Sequence, residues 1–237
     1  MIKPYLSLIC LLVLLTSATS VSAQLSIDLA GKKYKIPEFN NTIALPDSYS
    51  LLLDSECSRY HILESLSSSP YQFEVRCSYF RYIIKPYIID VLKADKDSLW
   101  WEEYTIYRED NRRPGATKYI DVDRHHVLSI FLKHHSIVPS SFSIIDSLIH
   151  LGLFTQPDIS TILSNLKQKN VKLKRVAMLD GPPFMLFDIK VNKHFRSFTY
   201  YSYEFSGNPD VKELADANNL VKTFLHVTSS REMIYDD

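Results

Sequence analysis

The densest run of chemically capable side chains is Asp121-Val122-Asp123-Arg124-His125-His126, followed by His134 and His135. Carboxylate oxygens and imidazole nitrogens together suit a divalent cation. If 119–125 is extended, the period of two puts Asp121, Asp123 and His125 on one face. Asp121, Asp123, His125 and His126 are therefore the candidate metal ligands, and metal-assisted hydrolysis is the alternative function. If Asp123 instead opens a helix, His126 and His134 stand two turns apart, about 12 Å, too far for one ion. Asp123 would then be an N-cap, and His134 with His135 would complement the C-terminal dipole.

Other catalytic patterns are weaker. Glu102 and Glu103 are adjacent, and neighbouring strand residues point to opposite faces, so they cannot work as one acid–base pair. No G-x-S-x-G nucleophile turn is written in the chain. Only five glycines occur, which disfavours glycine-lined phosphate sites. The sequence assigns no catalytic residue and no cofactor.

Aromatic content is the other signal, with 15 Tyr, 12 Phe and 2 Trp. Trp100, Trp101, Tyr200, Tyr201 and Tyr203 are candidate ligand contacts, because exposed rings stack on sugars or anchor protein partners. The competing reading is a sheet whose two faces are both covered, since aromatics are good strand formers. Arg108, Arg112, Arg113 and Lys118 sit in a polar stretch that reads as an exposed hairpin tip around Pro114-Gly115.

The elements that must position these residues begin after an export signal. Lys3 precedes the apolar run 5–15, and the small residues 16–23 end in Val21-Ser22-Ala23, an A-x-A-like cleavage site before Gln24. The run is about half of the roughly 20 residues a bilayer span requires, so no retained transmembrane helix is expected. Residues 1–23 are thus read as a signal peptide and 24–237 as one domain, with a possible seam near 115–123. The destination is periplasmic or secreted. Loss of Cys10 with the signal leaves Cys57 and Cys77, which in an oxidising compartment are expected to pair. That bond would close a loop of about 20 residues and contribute about 3 kcal/mol.

The whole chain carries 27 basic and 27 acidic side chains. Such balance gives no electrostatic footprint for nucleic acid.

Strands are expected at 33–36, 71–79, 87–93, 100–107, 172–179, 184–191 and 195–205. In the second of these, Tyr71, Phe73, Val75, Cys77 and Tyr79 alternate with Gln72, Glu74, Arg76 and Ser78, so the first set turns inward and the second to water. Helices are expected at 55–66, from Asp123 to before Pro139, from Ser140 or Ser141 to a Gly152 C-cap, from about 155 to 170, and after Asn208-Pro209-Asp210. The fold class is α+β: antiparallel sheet or sheets, a central three-helix block and a C-terminal helix. The expected function is a non-catalytic binding or interaction protein of the cell envelope or extracellular space. Its partner would be a protein or a cell-envelope polymer.

Overall fold

A computed structural model describes residues 25–29, 31–37, 39, 62–63, 66, 68–80, 87–137, 143–174, 184–201 and 207–228. The first two strands, β1 (Leu25–Leu29) and β2 (Lys32–Ile36), form an antiparallel hairpin by themselves. Five more follow before any helix of the central region: β3 (Phe73–Phe80), β4 (Tyr87–Asp95), β5 (Ser98–Glu109), β6 (Lys118–Asp121) and β7 (Val127–Ile137). Helices α1 (Ser143–His150) and α2 (Ile159–Gln168) lead to β8 (Phe184–Val191), β9 (His194–Tyr201) and α3 (Lys212–Thr228).

Strands β3 to β9 form one antiparallel sheet in the order β6-β7-β5-β4-β3-β8-β9. Strands from both sides of the expected 115–123 seam thus hydrogen-bond into a single sheet. The meander β3-β4-β5 grows outward through β7 to β6. After the two helices the chain returns to lay β8 on the other side of β3.

The central block differs from expectation. Residues 127–137 are a strand, so the first of the three expected central helices is not formed there, and among the described residues two helices follow the meander. Val127, Ile130, Phe131 and His134 fit helical spacing, but Leu128, Ile130, Leu132 and His134 equally fit one face of a strand. The long β5 offers a partner along all eleven residues of β7, and that ladder decides the conformation. The expected strand at 172–179 is also absent where it can be described, at 172–174, and its remainder lies outside the described residues. So does most of the expected helix 55–66.

Local signals place the other helices. Gly152 adopts φ 81°, and Gly152 N–H and Leu153 N–H bond to the carbonyls of Ile149 and Leu148, closing α1 with a left-handed cap. Asp158 caps α2 by accepting the Ser160 N–H at 2.8 Å. Its second oxygen takes the Thr199 N–H at 2.9 Å and the Thr199 hydroxyl at 2.7 Å, so the cap also covers part of the free edge of β9.

One face of the sheet carries the main core. Phe73, Val75, Cys77, Leu92, Trp101, Phe187, Ile189, Phe198 and Tyr200 lie under α1, α2, α3 and the β1–β2 hairpin. Phe187 is its hub, with ring centroids 5.1 Å from Phe198 and 5.4 Å from Phe224. Each fully buried aromatic there contributes about 1.5–3 kcal/mol relative to exposure. The opposite face holds a smaller cluster of Leu63, Ile89, Val91, Ile106, Leu128 and Ile130. Beside that cluster runs a polar stripe. Among the described residues no helix is long and apolar enough to cross a membrane.

Candidate functional site

The stripe follows from strand register. Ser197, Asp188, Arg76, Val91, Glu102 and His134 are cross-strand neighbours in one row, and Lys190, Glu74, Lys93 and Trp100 in the next. Residues two apart on a strand share a face, so both rows lie on the side away from the helices. Glu74 and Ser78, expected in water, are buried, because β3 is flanked by β4 and β8 and crossed by the incoming chain at Ser69. Ser69 donates its hydroxyl to Glu74 and accepts Lys190 Nζ on its carbonyl, while Arg76 Nε reaches the second Glu74 oxygen at 2.7 Å. Ser197 donates to Asp188.

Toward β5 the stripe becomes aromatic. The Tyr71 ring meets Trp100 edge-on at 4.9 Å, with Lys93 Nζ over Tyr71 at 5.3 Å. Lys93 and the Tyr104 hydroxyl each donate to Glu102 Oε2 at 2.7 Å, and His134 Nδ1 lies 3.4 Å from Oε1. The Lys93 and Glu102 side chains keep 12% and 13% of their exposure, whereas His134 keeps 51%. Trp100, Tyr71 and Tyr104 are half-buried. Together they form a partly accessible shelf of rings bordered by fixed charges.

Two groups of this shelf, Glu102 and Tyr104, are shifted from their ordinary values. Burial pushes the Glu102 carboxyl up, but hydrogen bonds from Lys93, Tyr104 and His134 outweigh it and hold the group below the ordinary glutamate value. Burial, with the hydrogen bond to Glu102, pushes the Tyr104 phenol well above its ordinary value. An ionised Glu102 is a poor acid and a protonated Tyr104 a poor base at neutral pH. Both remain good hydrogen-bonding partners.

The Asp/His run occupies the β6–β7 hairpin. The strand ends at Asp121 and the turn spans 122–126, so neither the extended 119–125 face nor a helix from Asp123 is formed. Asp123 accepts the main-chain N–H groups of His125 and His126 at 2.8 and 2.9 Å, and His126 Nδ1 lies 3.0 Å from both of its oxygens. The His125 main-chain bond, followed by His126, holds the Asp123 carboxyl below its ordinary value. Asp121 pairs instead with Arg112 at 3.2 Å. Among the described residues no group of three or more His, Cys, Asp and Glu is placed to hold a metal ion. The adjoining hollow of 430 Å³, lined by Arg108, Glu109, Asp110, Asn111 and His126, is wide open to solvent.

Two of the five aromatic candidates are core residues. Trp101 is 5% exposed and Tyr200 is 0% exposed, because their register positions face the helices. Trp101 Nε1 bonds to buried Asp90 at 3.3 Å, and the Tyr200 hydroxyl to the Pro157 carbonyl at 3.4 Å. Tyr201 is described only as backbone at the end of β9, and Tyr203 lies outside the described residues. Among the described side chains of the named set, Trp100 is the one on the shelf. The Cys57–Cys77 disulfide is not seen: Cys77 is a buried free thiol, and Cys57 lies outside the described residues. Burial, then the charges of Asp90 and Asp188, push the Cys77 thiol well above its ordinary value.

Sequence reasoning missed Tyr71, Lys93, Tyr104 and His134 as one group. Each is an alternate-position residue of a strand or its approach, yet only the pairing register aligns them. No family model matches this chain, and no curated protein or solved structure matches it either.

Proposed function

We propose that this chain is an exported, non-catalytic binding protein of the cell envelope or extracellular space, and that the Tyr71–Trp100 shelf receives a saccharide-containing envelope polymer. The observation that carries the reading is two half-buried rings, Tyr71 and Trp100, set beside the Lys93–Glu102 ion pair. A sugar ring stacks its C–H face on an aromatic ring and offers hydroxyls to fixed carboxylates and ammonium groups. Lys93 and Glu102 supply both kinds of partner at the shelf's border. The leader 1–23 would deliver the protein to that compartment, where Cys57 and Cys77 are the cysteines available to pair.

The test is co-sedimentation of the purified chain with insoluble murein sacculi and other wall polysaccharides, read beside Trp100→Ala. Binding reduced about tenfold or more by the variant, with its circular dichroism unchanged, supports the shelf. Binding to none of these polymers, or equal binding by the variant, overturns it.

A further inference from the structure

One guanidinium on the polar stripe has donors to spare. Arg76 lies in the middle of β3, with Asp188 across from it on β8 and Val91 on β4. Its side chain keeps 12% of its exposure, and its Nε donates to Glu74 Oε1 at 2.7 Å. Among the described residues Nη1 and Nη2 meet no acceptor. Asp188 accepts the Ser197 hydroxyl, and the second Glu74 oxygen accepts that of Ser69. Nearly buried donors without an acceptor have given up most of their water with nothing in return, and an incoming acceptor recovers that loss.

The guanidinium is held in one place. Glu74 is fully buried, Ser69 fixes one of its oxygens, and the other holds Arg76 Nε. Arg76 also shares the sheet face of Lys93, Glu102 and Tyr104. Burial chiefly raises the Tyr104 phenol, and the Arg76 charge opposes it, which places the guanidinium near that border of the shelf. Two strand spacings and a two-residue offset separate its Cα from that of Trp100, about 12 Å and within the span of a short oligosaccharide. Lys93 is already matched by Glu102. The two Nη groups of Arg76 remain, and their parallel N–H bonds fit the two oxygens of one carboxylate, which a sugar hydroxyl cannot replace.

We propose that Nη1 and Nη2 of Arg76 form a carboxylate subsite beside the Tyr71–Trp100 shelf, so that the saccharide taken there is an acidic one of the uronic-acid class. One sugar ring stacks on the aromatic pair, and the carboxylate of a ring further along accepts two N–H bonds from the guanidinium. Arg76 keeps its Nε bond to Glu74 throughout, so the incoming group breaks no contact within the protein. The subsite presupposes that the shelf binds a saccharide, and Arg76 then decides which kind.

Nuclear magnetic resonance titration of the purified, nitrogen-15-labelled chain separates the two. The Trp100 indole N–H reports the shelf, the Arg76 Nε–H reports the subsite, and the buried Trp101 indole is the reference. Trigalacturonate should shift the Trp100 and Arg76 signals together. The neutral trisaccharide made by reducing its carboxyl groups should shift Trp100 alone, with affinity about tenfold weaker. Arg76→Lys keeps a cation for Glu74 but has no fork, and it should bind both trisaccharides with the weaker affinity. Equal affinity of the natural chain for the two, a comparison that needs no variant, overturns the acidic subsite and leaves the shelf standing. So does a preference retained by Arg76→Lys. If neither trisaccharide moves the Trp100 signal, shelf and subsite fall together.

Discussion

The two faces of the seven-stranded sheet are built on opposite terms. The helical face is held by non-directional burial: Phe73, Phe187, Phe198, Tyr200 and Phe224 exclude water together. The opposite face combines a small apolar cluster with directional bonds among Ser69, Glu74, Arg76, Lys93, Glu102 and Lys190. Apolar packing tolerates exchange of one hydrophobe for another, whereas a half-buried polar network must be complete or its members are left unsatisfied. The first arrangement specifies the fold, and the second holds the Lys93 and Glu102 side chains in place beside half-buried Trp100.

The comparison breaks most visibly on the helical side. Phe187→Ala should lower unfolding stability by about 3–5 kcal/mol in urea titration, since it empties the centre of an aromatic cluster. A loss below about 1 kcal/mol would mean that this face is not the principal core. Asp158→Ala should cost about 1–2 kcal/mol, because one carboxylate caps α2 and ties it to β9. Thr199 amide exchange should accelerate with it.

On the opposite face Glu102→Gln should cost about 1 kcal/mol at pH 7. The sign of its pH dependence follows from a folded carboxyl held below its unfolded value. Glu102 therefore contributes fully above the unfolded value, near pH 4.3, and loses its contribution as pH falls through the lower folded one. Urea midpoints of natural chain and variant should converge between pH 7 and pH 3; a constant gap would contradict the ionised Glu102. The smallest effect belongs to the β6–β7 tip. Arg112 and Asp121 remain 60% and 65% exposed, so Arg112→Ala should leave the thermal midpoint within error.

Elements with a dominant local pattern were legible. The inward set from Phe73, the strand 184–191, the Gly152 cap and the helix after Asp210 all lie where the sequence places them. The candidate site was legible only in part: Trp100 was named for its ring and His134 only as a neighbour of the Asp/His run, while Tyr71, Lys93 and Tyr104 carry no local mark. Trp101 and Tyr200 show the reverse failure, since an aromatic on a strand has the same letter whether it faces helices or solvent. Residues 127–137 failed for a related reason, because their pattern satisfies both periods and β5 selects one.

By itself, then, the sequence determined the α+β class, the antiparallel character and the Gly152 end of α1, because these depend on periodicity and capping within a few residues. Tertiary structure alone decided that all seven later strands form one sheet, and that β8 returns beside β3. It also decided which half of each strand faces the helices and which side chains align across the shelf. Those outcomes depend on register between segments as far apart as Glu74 and Lys190. A slip of one residue would turn every side chain to the other face; the alternation of β3 specifies against it, but β5 and β9, with rings on both faces, do not.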